Sequence, residues 1–469
     1  MPHAAHRDLN RRTFLLASIM CLVILQALFT ASNIAASSLP RATLTARAED
    51  AWESPLLSRR YSYDHRILTA PVSYDNNRFI PQIAEQHDAG NPFATSVQAR
   101  IDDRNPDGST TTFDYFRYWH GWQLLTDLGL LAGGIPGVQA IVFVLLIGSI
   151  AWFTYELSCH MGTIASLVFA ATAFLATGFA YNFAADLTLG ISSASVIVAS
   201  ALVLRAGHIS RSGPLETRRL LCLIALASGA IYCFLDFLTI PAAMLALFVF
   251  SGTVALDRPD TPVRTRITTI ALLTAAFLVG FLVTWVAKWA LAAITLGPEE
   301  VMHNVLNEMG VWTSEHGELP RPDWAAWQQS FYLLSPQLFA LIVPLGYMVL
   351  NSPVLAIAVI ATVTLLIIEN VQGRTSKARH ASTPALSWGR LFTLALPMAF
   401  IPLYTLVMST HAVVHIPVFS CRIWSIFFAI ALGLLIWRAT PASRGSKPAG
   451  TPDPMRYNSA DLGPNGEVS

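Results

Sequence analysis

Eight side chains in four stretches of this chain are of types that could act together on one substrate. Tyr74-Asp75-Asn76-Asn77-Arg78-Phe79 offers a carboxylate flanked by amides. Asp75 could take a proton from an attacking hydroxyl, although the same string also suits a plain surface turn. Arg117-Tyr118-Trp119-His120-Gly121-Trp122-Gln123 is the densest aromatic and basic cluster. Trp119 could stack on a sugar ring while Arg117 and His120 dock a phosphate, or the cluster could be an aromatic belt at a membrane surface. Asp236 lies in Leu235-Asp236-Phe237-Leu238-Thr239-Ile240-Pro241, between two apolar runs. A carboxylate beside hydrocarbon costs roughly 3 kcal/mol unless it is paired or functional; the alternative role is a cap on the helix entered through Pro241. His411 and His415 are four apart and share a face if helical, with Arg422 following on a similar face. Without a carboxylate partner these histidines suit a phosphate better than a metal.

The rest of the chain must place these groups, and its composition says where. Of 469 residues, 54% are hydrophobic and only 13% charged, against roughly 25% charged in a soluble domain. That excludes a soluble enzyme and predicts an all-α polytopic membrane protein, solvated by lipid for most of its length. The 30 Lys and Arg nearly cancel the 29 Asp and Glu, so no global charge argues for nucleic acid. Cys21, Cys159, Cys222, Cys233 and Cys421 lie in or beside apolar runs and read as packing residues without disulfide or CxxC spacing.

Arg7, Arg11 and Arg12 precede an apolar run from Phe14 to about Ala31, which predicts an uncleaved anchor with the N terminus in the cytoplasm. The small residues Ile34-Ala35-Ala36-Ser37 keep a cleaved signal peptide as the rival. The expected organisation is a cytoplasmic start (1–13), the anchor (14–32) and a large extracytoplasmic segment (33–137). That segment should end in an interfacial helix from Tyr118 to Leu131, followed by a Gly133-Gly134-Ile135-Pro136-Gly137 turn. Spans then fill 138–296, a second extracytoplasmic loop 297–331, further spans 332–438, and a disordered cytoplasmic tail 439–469. Eleven apolar runs are visible, but basic residues at Arg374–Arg390 and after Arg438 fall inside only if one of Tyr332–Leu350 and Pro353–Ile368 does not cross. Pro336 and Pro344 make the first the better re-entrant candidate, giving about ten spans with eleven left open.

The layout of a short cytoplasmic start, one span, a large first outer loop with interfacial helices, many spans and a late second outer loop resembles the GT-C superfamily of integral membrane glycosyltransferases. Arg117-Tyr118-Trp119-His120-Gly121, the Leu235 to Pro241 string and His411-Ala412-Val413-Val414-His415 followed by Arg422 are similar to motifs of bacterial members of that group. The resemblance implies an aspartate of the first outer loop as catalytic base, for which Asp75 is the match. It also implies basic residues that bind a polyprenyl-phosphate sugar donor, for which Arg117, His411, His415 and Arg422 are the candidates, with a glycan or envelope acceptor. Many GT-C enzymes carry their acidic motif sooner after the first span, where this chain has Glu49, Asp50 and Glu53. No acidic pair stands out as a metal site, and a divalent cation is left open.

Two other functions fit the same chain: a transporter or flippase for a lipid-linked or amphipathic substrate, and a non-catalytic membrane scaffold. Ionisable residues crowd the span ends (Asp186, Asp236, Lys288, His411, His415, Arg422) and leave span centres bare. Alternating-access sites usually lie near the midplane, so a transferase in the cell membrane, most simply a bacterial cytoplasmic membrane, is the expectation.

Overall fold

The structure, a computed structural model, describes residues 11–54, 66–67, 70–71, 75–104, 110–176, 178–209, 214–236, 239–313, 326–351, 387–409 and 419–439, with a few isolated positions between 356 and 367. Among these, seven helices are long and apolar enough to cross a membrane, or eight if a bent pair counts as one span. The chain is therefore a helical multi-pass membrane protein.

The first apolar run forms α1 (Arg11–Ser37), which packs so little that only 6% of its apolar window is buried by protein. After Pro40 comes α2 (Arg41–Trp52). The segment beyond it is not wholly helical, as an all-α chain would be. Strands β1 (Arg66–Ile67) and β2 (Ala70–Pro71) pair antiparallel. A 3-10 turn (Asp75–Arg78) then leads into α3 (Phe79–Ala84), followed by α4 (Pro92–Gln98). Asn91 caps α4 by accepting from the Ala94 N–H at 2.9 Å. A second hairpin follows, β3 (Arg100–Arg104) against β4 (Thr110–Asp114), with Arg100 opposite Asp114.

The stretch expected as an interfacial helix begins α5 (Gln123–Met161), but helical geometry breaks at Gly133 and Gly134. The predicted turn is thus present. Gly134 takes φ +65°, open to glycine without strain, and a Cβ on Gly129 would sit 2.8 Å from the Val138 backbone, so the two limbs touch. Trp119 and Trp122 are not a belt at headgroup depth; both are buried in protein.

The run after Gly162 forms α6 (Thr163–Ala170), continues as a π-helical turn to Leu175 and meets Phe179–Ala185 at a 58° bend. Next come α7 (Leu187–Ile209), α8 (Pro214–Leu235), α9 (Pro241–Ala255) and α10 (Val263–Leu296). Helices α8 and α10 approach backbone to backbone, because Gly229 faces the Phe277 carbonyl and Gly280 the Leu226 carbonyl. Small residues are what permits such contact where no hydrophobic drive separates lipid from side chain. Helices α7 and α9 are enclosed by their neighbours and form the centre. At 15 residues, α9 is about 22 Å long, short of a ~30 Å hydrocarbon core. At least one of its ends is therefore recessed.

The second expected loop starts as a helix, α11 (Pro298–Thr313). The Tyr332–Leu350 run is divided at Ser335 between α12 (Ala326–Leu334) and α13 (Pro336–Asn351). The Pro353–Ile368 run, the Arg374–Arg390 loop up to Leu386 and the tail beyond Ala439 lie essentially outside the described residues. The chain resumes with α14 (Trp388–Ala395), a 3-10 turn, α15 (Phe400–Val407) and α16 (Phe419–Ala439).

Basic residues gather at one end of this bundle. Asp257 accepts from Arg266 Nε and Arg390 Nε, both at 2.6 Å, and Arg438 lies 4.2 Å over the Trp388 ring. Glu156 accepts from Arg205 at 3.1 Å. These contacts, with Gly207 of α7 against the Ala255 backbone just before Asp257, put the starts of α10 and α14 and the finishes of α5, α7, α9 and α16 together, here termed the arginine end. The described residues of 33–122 sit at the opposite end, here termed the segment end, against Phe234, Thr284 and Lys288.

Candidate functional site

At the segment end, two of the singled-out motifs dock on each other. Gly121 N–H donates to the Phe234 carbonyl at 2.9 Å, and any side chain at Gly121 would collide with the Phe234 ring. His120 turns the chain there with φ +54°. The Arg117–Gln123 string is therefore pinned against the last turn of α8, one step before Asp236.

Trp119 is locked between three helices. Its indole N–H donates to the Thr284 carbonyl at 2.8 Å, its own carbonyl accepts from Asn33 of α1, and Phe29 and Phe234 meet its ring edge-on. The Lys288 ammonium lies 5.5 Å over the same ring and donates to the Ser96 and Val97 carbonyls, both at 3.1 Å. Those carbonyls lie in the last turn of α4, so Lys288 fastens the segment between α1 and α5 to α10. His120 is likewise buried, 5.1 Å from the Tyr115 ring and edge-on to Trp122. Burial, and then Lys288 and Arg117, hold its imidazole well below the usual histidine range. Both residues support the site from within.

Around Tyr115 the groups become accessible. Tyr115 stacks on Phe79 at 5.1 Å and meets Tyr118 at 5.5 Å, and the half-buried Arg117 lies 5.4 Å over its ring. Burial pushes the Tyr115 hydroxyl up, while Arg117 and Arg78 pull it back. The Tyr118 hydroxyl is also pushed up, first by burial, with Arg117 opposing and Asp236 adding to the shift. Arg117 and Asp236 thus both act electrostatically on Tyr118, and Tyr118 and Asp236 line the same cleft. Tyr404, from α15, lies within electrostatic reach of Asp236 and Tyr118.

Asp236 is buried and held by short-range donors: Ser192 Oγ at 3.2 Å and the Thr239 N–H at 2.9 Å. It closes the turn before α9 rather than capping the helix itself, whose N-cap position is Ile240. Asp236 also lines a small cleft with Tyr118, Trp119, Cys233, Phe281 and Trp285.

Asp75 and Arg422 lie on the same end. Asp75 opens the 3-10 turn whose last residue, Arg78, reaches Tyr115. Arg422, near the start of α16, is buried and donates from Nη1 to Asn182 Oδ1 at 2.9 Å. It is built into the protein interior, not laid open at a headgroup surface. His411 and His415 lie outside the described residues.

The structure therefore gathers Arg117, Trp119, His120 and Asp236 at one junction and brings the Asp75 turn to its edge. Sequence reasoning missed Arg78, Tyr115, Ser192 and Tyr404. Arg78 was three residues from the chosen Asp75, but Ser192 and Tyr404 sit in apolar runs and carry no local signal. Chemically, the junction offers two guanidiniums over aromatic faces, suited to an anion, beside a fixed carboxylate and tyrosine hydroxyls. Among the described residues no three His, Cys, Asp or Glu side chains converge to hold a metal ion. Compared with family models, curated proteins and solved structures, the chain matches none.

Proposed function

We propose that the protein is a GT-C-like membrane glycosyltransferase that moves a sugar from a polyprenyl-phosphate donor to a glycan or other envelope acceptor at the segment end. In this proposal the arginine end faces the cytoplasm of a bacterial cell, the N terminus is inside and the spans number about ten. One observation carries it: Tyr118 and Trp119 of the Arg117 string and Asp236 of the distant Leu235 to Pro241 string line one cleft, where the extramembrane segment joins the span ends. A lipid-linked phosphate reaches such a junction from the bilayer, and a water-borne acceptor reaches it from outside. The contacts of Asp257 with Arg390 and of Arg438 with Trp388 support an odd number of crossings between Gly297 and Ser387, the condition for about ten in all.

In the reaction, the acceptor hydroxyl attacks the anomeric carbon, and the carbon–oxygen bond to phosphate breaks with its electron pair leaving on the phosphate. Asp75 takes the hydroxyl proton, and Arg117 with Arg78 neutralises charge developing on the departing phosphate. Asp236 keeps Tyr118 and the α8 to α9 turn in place.

The test is transfer from labelled polyprenyl-phosphate sugars in membranes. Asp75→Asn is expected to slow turnover by about 10²–10⁴-fold, and Arg117→Ala to weaken donor use. Wild-type rates in both variants would remove this site. Movement of intact lipid-linked sugar across the bilayer without transfer would favour a transporter.

A further inference from the structure

The turn that carries Asp75 and Arg78 is tied to the bundle by a side chain that no motif singles out. Asn77 is fully buried, although it sits in a polar string of an extramembrane segment. Its Nδ2 donates to the Ala185 carbonyl at 2.8 Å, and its Oδ1 accepts from the Leu187 N–H at 2.9 Å. A primary amide matches a peptide group in donor and acceptor, so Asn77 pairs with the backbone of 185 and 187 as a neighbouring strand would. The Leu187 N–H is one of the orphan donors at the start of α7.

The residue between the clamped positions extends the arrangement. Asp186 accepts from the Leu189 N–H at 3.0 Å and from Thr188 Oγ1 at 3.2 Å, capping α7. Its own N–H donates to the Asn182 carbonyl, and Asn182 Oδ1 receives Arg422. One run of hydrogen bonds thus leads from the 75–78 turn through the entry of α7 to α16. Hydrophobic contact alone would let a polar turn slide on the bundle; two directional bonds to consecutive backbone groups fix both its position and its orientation.

We propose that Asn77 is a positioning residue, whose clamp on the start of α7 sets where Asp75 and Arg78 stand relative to Arg117 and Arg422. The part concerning catalysis rests on the transferase reading above, whereas the clamp does not. The experiment therefore has two readouts. In membranes, Ile80→Cys, at a fully buried position just after the turn, is labelled with a membrane-impermeant maleimide, with the parent's labelling by its native cysteines subtracted, in backgrounds carrying Asn77, Asn77→Ala or Asn77→Asp.

The expected result is labelling at least tenfold faster with Asn77→Ala and an intermediate rise with Asn77→Asp, which keeps the acceptor for Leu187 and loses the donor to Ala185. Transfer is expected to show kcat about tenfold lower with KM for the donor little changed, since a displaced base slows the step without loosening binding. Unchanged labelling in both variants overturns the clamp, whatever the activity. Faster labelling with unchanged kcat overturns the positioning role. Absence of transfer in the parent sinks the transferase reading, and labelling still decides the clamp. If Asn77→Ala does not accumulate in membranes, Asn77→Asp carries both readouts.

Discussion

Replacing Asp257 with Asn should unlock the arginine end, and the geometry fixes how much is at stake. The Asp257 carboxylate is 0% exposed, one oxygen receiving Arg266 Nε and the other Arg390, while the two guanidiniums are themselves 5% and 12% exposed. An amide of the same shape keeps one acceptor but turns an N–H₂ group toward a guanidinium and leaves two buried cations facing each other. Removing one partner of a buried ion pair costs about 3–5 kcal/mol, because the charge left behind has been desolvated without compensation. Arg390 keeps its place over the Trp437 ring at 5.3 Å and Arg266 its bond to the Arg258 carbonyl, so the lower half of that range is expected. Replacing all three residues together (Asp257→Leu, Arg266→Met, Arg390→Met) should cost less than the single change, since it removes the desolvation penalty along with the attraction. Denaturant unfolding in detergent micelles, followed by tryptophan fluorescence, measures both. A single variant within about 0.5 kcal/mol of the parent, the scatter of ordinary surface changes, would refute the account. A triple variant worse than the single one would refute it too.

His120, held neutral by burial, should make stability pH-dependent. The unfolded chain binds a proton near pH 6.5 that the folded chain refuses, so stability falls as pH drops below that value, by up to about 1.4 kcal/mol per pH unit; His120→Gln should flatten the slope between pH 7 and 5, and equal slopes in parent and variant would exclude a neutral His120. Gly229→Ala and Gly280→Ala should each cost about 1–3 kcal/mol by forcing α8 and α10 apart. Gly148→Ala, where a methyl group meets nothing within 4 Å, is the control in the same unfolding assay.

The helices were legible because hydropathy reports directly on lipid exposure: each run read from sequence falls inside its helix (α1, α5, α7, α8, α10), and the start of α7 and the finishes of α8 and α10 coincide with it, whereas polar first or last turns extend most other ends by about five residues or more. The hairpin β3–β4 was missed, although Asn105-Pro106-Asp107-Gly108 ahead of Thr110-Thr111-Thr112 carries turn and strand chemistry. Trp119 and His120 were found as a motif, but their burial was not. A tryptophan at a span end looks the same in sequence whether it faces headgroups or three neighbouring helices. The ties that build the site join residues far apart, 110 positions for Asn77 with Leu187 and 165 for Trp119 with Thr284. No local periodicity encodes such a pairing. Asp236 was visible as a costly carboxylate, but Ser192 and Tyr404 acquire meaning only when folding sets them beside it.

The scant packing of α1 bears on how the protein is made. Its specific ties to the bundle are polar or aromatic: Gln26 Nε2 donates to Thr284 Oγ1 at 2.8 Å, Asn33 reaches the Trp119 carbonyl, and Phe29 stacks on Phe234 at 4.1 Å. Gln26 and Thr284 are 258 positions apart. At about 5–20 residues per second, ribosomes need roughly 13–50 s to cover that distance. Trp119 and Phe234 are made before Thr284 and can hold the far half of α1, but until Thr284 is made the Gln26 amide lacks that partner, an incentive to pair with any polar helix nearby. Nascent chains arrested before Thr284 are the species expected to cross-associate through Gln26, and arrival of α10 is the event that retires that helix into its final place.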